Sequence, residues 1–149
     1  MDAVFLGYLG LALVLGLSGI GSIYGVSITA NAGIGSLKKN PDLFGYYMIL
    51  MTPPATNGLY GFLGYFIMSD LVTPEITWFQ ASGVFAACLA LGALNLFSAP
   101  RQAQACANGM AAISGGKPEL FGKSLMLIVF IELYAIIGLA ALFLVYGAL

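Results

Sequence analysis

The chain has 149 residues, 60% of them hydrophobic and only 7% charged, with no histidine. Soluble domains carry about 25% charged residues, so this composition excludes an ordinary soluble domain and points to the membrane class. A net charge of -1 without a basic stripe argues against nucleic-acid binding, and there is no phosphate-binding loop to hold a nucleotide.

Four apolar segments follow in chain order, approximately residues 4–36, 43–68, 77–112 and 120–147. Each supplies the roughly 20 residues that cross a hydrocarbon core. The first begins after the acidic Asp2, has no basic n-region and runs past thirty residues. It therefore reads as a transmembrane helix rather than a signal peptide. Along it Gly21, Gly25, Thr29 and Gly33 recur every four residues, a face on which helices approach closely, within the monomer or between copies in a ring.

The second segment carries TPPATNGLYGF, in which Pro53 and Pro54 interrupt the hydrogen-bond ladder and free carbonyls at depth. Thr56, Asn57 and Tyr60 add polar groups there. Residues 70–77 form a linker bearing Asp70 and Glu75. The third segment places Arg101, Gln102 and Gln104 in the middle of an apolar span, and its Cys88 and Cys106 read as buried small hydrophobes, not a disulfide. The fourth is KSLMLIVFIELYAIIGLAALFLVYG, with the single carboxylate Glu132 among apolar residues.

The joints KKNPDLFG and GGKPELFG are near copies 77 residues apart, with Pro41 matching Pro118 and Asp42 matching Glu119. Each sets a proline near a helix start and an acidic residue in its first turn. The chain is thus predicted to be an all-α membrane protein of four transmembrane helices. It is a tandem repeat of two hairpins, residues 1–70 and 77–149. Both lysine-bearing joints fall on one side, which the positive-inside rule makes cytoplasmic.

Glu132 lies 12 residues after Leu120, Thr56 13 after Leu43, and Gln102 15 before Lys117. By helical rise all three stand roughly 20 Å from the same face. A carboxylate, a hydroxyl, an amide and a proline-freed carbonyl at one depth make an oxygen-rich cluster able to hold a small cation or a proton. A polar network that only locks the helices together is the competing reading, and it gives no reason for a titratable group.

The duplicated hairpin, PPATNGLYGF, LFSAPRQAQA and FIELYAIIGLAALF together resemble the proteolipid rotor-ring subunit (K or c subunit) of V-type ATPases, in its four-helix bacterial and archaeal-type form. The resemblance covers essentially the whole chain. It implies a homo-oligomeric ring of identical subunits in the cell membrane, among membrane lipids, turning against a stator subunit that supplies an arginine. Rotation would couple passage of Na+, or alternatively H+, to ATP hydrolysis or synthesis in a separate soluble head. This chain would be a non-catalytic subunit with no organic cofactor.

The resemblance also implies residue roles: Glu132 as the ion-carrying carboxylate, with Thr56, Gln102, Asn57 and the backbone carbonyl of Pro53 as Na+ ligands and Tyr60 steadying the carboxylate. Loops 37–42 and 114–119 would be cytoplasmic and meet the central stalk. Two positions depart from the pattern: Asn57 stands where glutamine is usual, and Arg101 where a small residue is expected. The other classes weighed are a small four-helix multidrug antiporter and a purely structural ring. The antiporter is disfavoured because helix 1 has no charged residue between Asp2 and Lys38.

Overall fold

A computed structural model describes residues 2–149. All regular structure among them is helical: α1 (Ala3–Leu37), α2 (Phe44–Met51), α3 (Pro53–Ser69), α4 (Trp78–Ser114) and α5 (Phe121–Ala148). Short 3-10 turns at Pro41–Leu43 and Pro118–Leu120 open the second and fourth spans. In each, the proline occupies the first position, where its missing N–H goes unused, and Asp42 or Glu119 sits in the first turn.

The second span is not one continuous helix. Pro53 and Pro54 lack amide hydrogens, so the carbonyls of Ile49 and Leu50 lose their donors one turn on. α2 accordingly ends at Met51, the Thr52 N–H turns back to the Ile49 carbonyl (3.2 Å), and α3 restarts at Pro53. The chain bends at Thr52 but keeps helical backbone angles there. Neither piece alone is long enough to cross a bilayer, whereas α1, α4 and the last helix with its opening turn each are. The outcome is a four-helix, multi-pass membrane fold whose second span is two helices end to end.

Small residues set how these helices meet. α1 packs most extensively on α4 and next on α3. A methyl group at Gly10 would stand 2.8 Å from the Phe85 Cα, one at Gly21 2.6 Å from the Asn95 carbonyl, and one at Gly25 2.9 Å from the Ala99 carbonyl. Partner numbers rise together, so α1 and α4 run parallel. The periodic stripe of α1 therefore seats the helix within its own chain. Gly16, Gly19 and Gly35 face open space instead. α3 runs the other way, since Gly25 meets Pro54 and Ser18 meets Gly61.

Two apolar clusters fill the interior. One, around Leu11, Val84, Leu91 and Leu142, lies toward the termini; the other, around Tyr47, Leu50, Met110 and Ile113, lies toward the joints. The belt between the joints and the linker is apolar outside as well, with Phe62, Phe66, Phe130, Phe143 and Leu144 exposed. A soluble protein buries such a surface, and hydrocarbon is the solvent that fits it. Cys88 and Cys106 are free and buried on α4. The linker stops at Thr77, whose side chain and that of Gln80 form a capping box at the start of α4.

Candidate functional site

Between the two apolar clusters lies a band of polar side chains. α3 brings Thr56, Asn57 and Tyr60 to it, α4 brings Gln102, and α5 brings Glu132. The prolines that open α3 set its register, and positions 56 and 60, one turn apart, point together at α5. The close approach at Gly25, against both Pro54 and the Ala99 carbonyl, fixes the separation of α3 and α4 at this depth.

The Glu132 carboxylate is the hub. Its Oε1 accepts hydrogen bonds from the Thr56 hydroxyl (2.6 Å) and the Tyr60 hydroxyl (2.5 Å). Its Oε2 accepts one from Gln102 Nε2. Three donors on one carboxylate are charge-assisted bonds, the strong kind, and they compensate an anion far from bulk water. Glu132 is half-buried, Gln102 fully buried.

Thr56 has one hydroxyl proton and two acceptors within reach, because its oxygen also lies 2.7 Å from the Pro53 carbonyl. When the proton serves Glu132, the Thr56 and Pro53 oxygens face each other without a proton between them, a geometry that welcomes a hard cation. Glu132, Thr56, Pro53 and Gln102 line a cavity of about 340 Å³ between α2, α3, α4 and α5, open at the surface of the helix bundle.

Of the residues singled out from sequence, Glu132, Thr56, Tyr60, Gln102 and the Pro53 carbonyl come together here. Asn57 does not touch Glu132. Its Nδ2 donates to Gln102 Oε1 (3.0 Å), and the side chain is wholly buried behind Gln102, away from the cavity. Arg101 also stays out. It is exposed and lines a separate groove of about 460 Å³ between α4 and α5, with Ser98 and Tyr134. A second buried polar pair was not anticipated from sequence: Asn95 Nδ2 donates to Ser18 Oγ (2.9 Å) between α4 and α1. An asparagine in an apolar span and a serine three residues before the small-residue stripe of α1 were its only signal.

A family model for the C subunit of ATP synthase matches residues 9–68 and again residues 85–145. The chain belongs to this family. This places it among the c/K-type proteolipid subunits of rotary ATPases, with relatives in the A/V-type branch. It is 34% identical over 139 residues to the A-type ATP synthase subunit K of Methanocaldococcus jannaschii, covering 93% of this chain and 60% of that protein. It is 33% identical over 127 residues to the V-type sodium ATPase subunit K of Enterococcus hirae, covering 85% of this chain and 81% of that one. The chain thus spans less than two thirds of the archaeal relative's length. The double match of the family model follows the same period as the duplicated joints.

Proposed function

We propose that this rotor proteolipid assembles with identical copies into a membrane ring and carries Na+ on Glu132. The observation that supports this most directly is the convergence of Thr56, Tyr60 and Gln102 on one carboxylate at an open cavity within the span. Loaded with a cation, the site is neutral and passes lipid. Unloaded, it is an anion that halts unless a stator cation, an arginine of the partner subunit, faces it.

The ligands proposed for Na+ are the Glu132 carboxylate, the Thr56 hydroxyl, the Pro53 carbonyl and the Gln102 amide, with Tyr60 holding the carboxylate in place. With the Gln102 amide turned to present its oxygen, these four groups are more than a proton requires. The relative named as a sodium ATPase subunit adds weight to Na+. Carriage of H+ is the second reading, favoured by one feature: Gln102 offers Glu132 its N–H rather than its oxygen. Rotation would couple ion passage to ATP turnover in a separate soluble head, with joints 37–42 and 114–119 on the cytoplasmic side against the central stalk.

Carbodiimide reacts with a protonated carboxyl, so its attachment to Glu132, mapped by mass spectrometry across pH with and without Na+, tests the reading. Protection by Na+ at fixed pH is the expected result. Labelling that depends on pH and ignores Na+ would replace the ion with H+. Coupled transport retained in Glu132→Gln would overturn the assignment altogether.

A further inference from the structure

Asn57, an ion ligand by the resemblance, donates to Gln102 and makes no contact with Glu132. It is fully buried, and the cavity that Glu132, Thr56, Pro53 and Gln102 line does not include it. Its one side-chain bond inside the site runs to Gln102 Oε1. Gln102 is held at both ends, by Asn57 at the oxygen and by Glu132 at the nitrogen. The chain Asn57–Gln102–Glu132 therefore crosses from α3 through α4 to α5 in a single line.

We propose that Asn57 is a positioning residue: it fixes the rotamer and the amide plane of Gln102 beside Glu132, and acts on the ion only through Gln102. The inference rests on the reading of Glu132 as the ion carrier. A glutamine has three rotatable side-chain bonds, and one hydrogen bond to a carboxylate does not fix its amide plane. The bond from α3 supplies the second point.

The short side chain of Asn57 suits this role. The helix α3 is held close to α1 by Gly58 and Gly61. A methyl group added at Gly58 would meet Ser22 Oγ at 3.0 Å, and one at Gly61 would collide with the Ser18 side chain. With its backbone so seated, Asn57 ends at Gln102.

The pairing is compatible with either state of the carboxylate. Turning both amides over keeps the Asn57–Gln102 hydrogen bond, with donor and acceptor exchanged, and then presents the Gln102 oxygen to a cation on Glu132. In the present orientation Asn57 Oδ1 is buried without a partner. In the reversed one Nδ2 takes that place. Each orientation leaves one buried polar atom unmatched, so neither is strongly preferred and the charge at Glu132 decides.

A double-mutant cycle on the full-length chain separates acting through Gln102 from direct ligation. Carbodiimide labelling of Glu132 is followed against Na+ concentration in the wild type, Asn57→Leu, Gln102→Leu and the double variant. Each single substitution is expected to raise the half-protecting Na+ concentration about tenfold, and the double to match Gln102→Leu within a factor of about two. If Na+ does not protect the wild type, the pH midpoint of labelling is read instead, and the same non-additivity is expected. A further tenfold loss in the double variant would make Asn57 a ligand and overturn the proposal, as would an unchanged Asn57→Leu. Should Asn57→Leu fail to fold, Asn57→Ser takes its place in the cycle. A wild-type Glu132 that takes no label at any pH would overturn the ion-carrier reading itself, and this one with it.

Discussion

The two halves of the chain share a plan and differ at the two positions that matter. Counting 77 residues back from Glu132 reaches Ala55, and from Gln102 reaches Gly25. Where the second half has a carboxylate and an amide, the first has a methyl group and a hydrogen. In the first half those small residues let α1 and α3 close on each other, with Gly25 against Pro54. In the second half the same depth is filled by a hydrogen-bonded polar pair. At this depth the first half offers close packing and the second a charged, hydrogen-bonded pair.

Neither half holds the site alone. The donors on Oε1 come from α3 in the first half, and the carboxylate and amide from α5 and α4 in the second. The candidate site is therefore one per chain, instead of one per hairpin.

Removing the carboxylate is the strongest way to break this asymmetry. Glu132→Gln is expected to abolish coupled ion transport in reconstituted membranes while leaving helix content unchanged by circular dichroism. Moving it, as Ala55→Glu in a Glu132→Gln background, should not restore Na+-protected labelling, because position 25 offers no amide. Restoration would mean that the halves are interchangeable.

Next in size come the donors lent by the first half. Thr56→Val and Tyr60→Phe each delete one hydrogen bond to a charged group, roughly 1.5–3 kcal/mol. Each should therefore raise the half-protecting Na+ concentration about 10- to 100-fold, measured by the same labelling. Tyr60→Phe acting like wild type would leave Thr56 as the sole working donor on Oε1.

Gly25→Ala tests the packing half. The added methyl group would stand 2.6 Å from Pro54 Cβ and 2.9 Å from the Ala99 carbonyl, neither of which is a flexible side-chain end. A loss of about 1–3 kcal/mol in detergent unfolding is expected. The smallest effect belongs to Gly16→Ala, which meets nothing within the chain and should raise helix stability by up to about 1 kcal/mol. Loss of oligomer on that substitution would place Gly16 between neighbouring copies.

Much of this was legible from sequence. Hydropathy marked the spans to within two residues, because in hydrocarbon the backbone must satisfy itself and a long apolar run has little choice but helix. Similar spacing from the duplicated joints put Glu132, Thr56 and Gln102 at about one depth, since helical rise converts sequence distance into height. Height is not azimuth. Spacing did not settle that Asn57 turns to Gln102, that Arg101 lines the separate groove between α4 and α5, or that the α1 stripe seats on α4 of the same chain.

The bend at Thr52 stood between the two kinds of information. The proline pair announced a break, but which carbonyls lose their donors depends on where the helix restarts. The sequence by itself determined a helical membrane protein with one intramembrane carboxylate and a duplicated frame, because charge in lipid and repeated joints are local facts. Only the tertiary structure decided which polar atoms touch that carboxylate, because contact depends on helix rotation and on close approaches at single glycines, where one methyl group separates fit from clash.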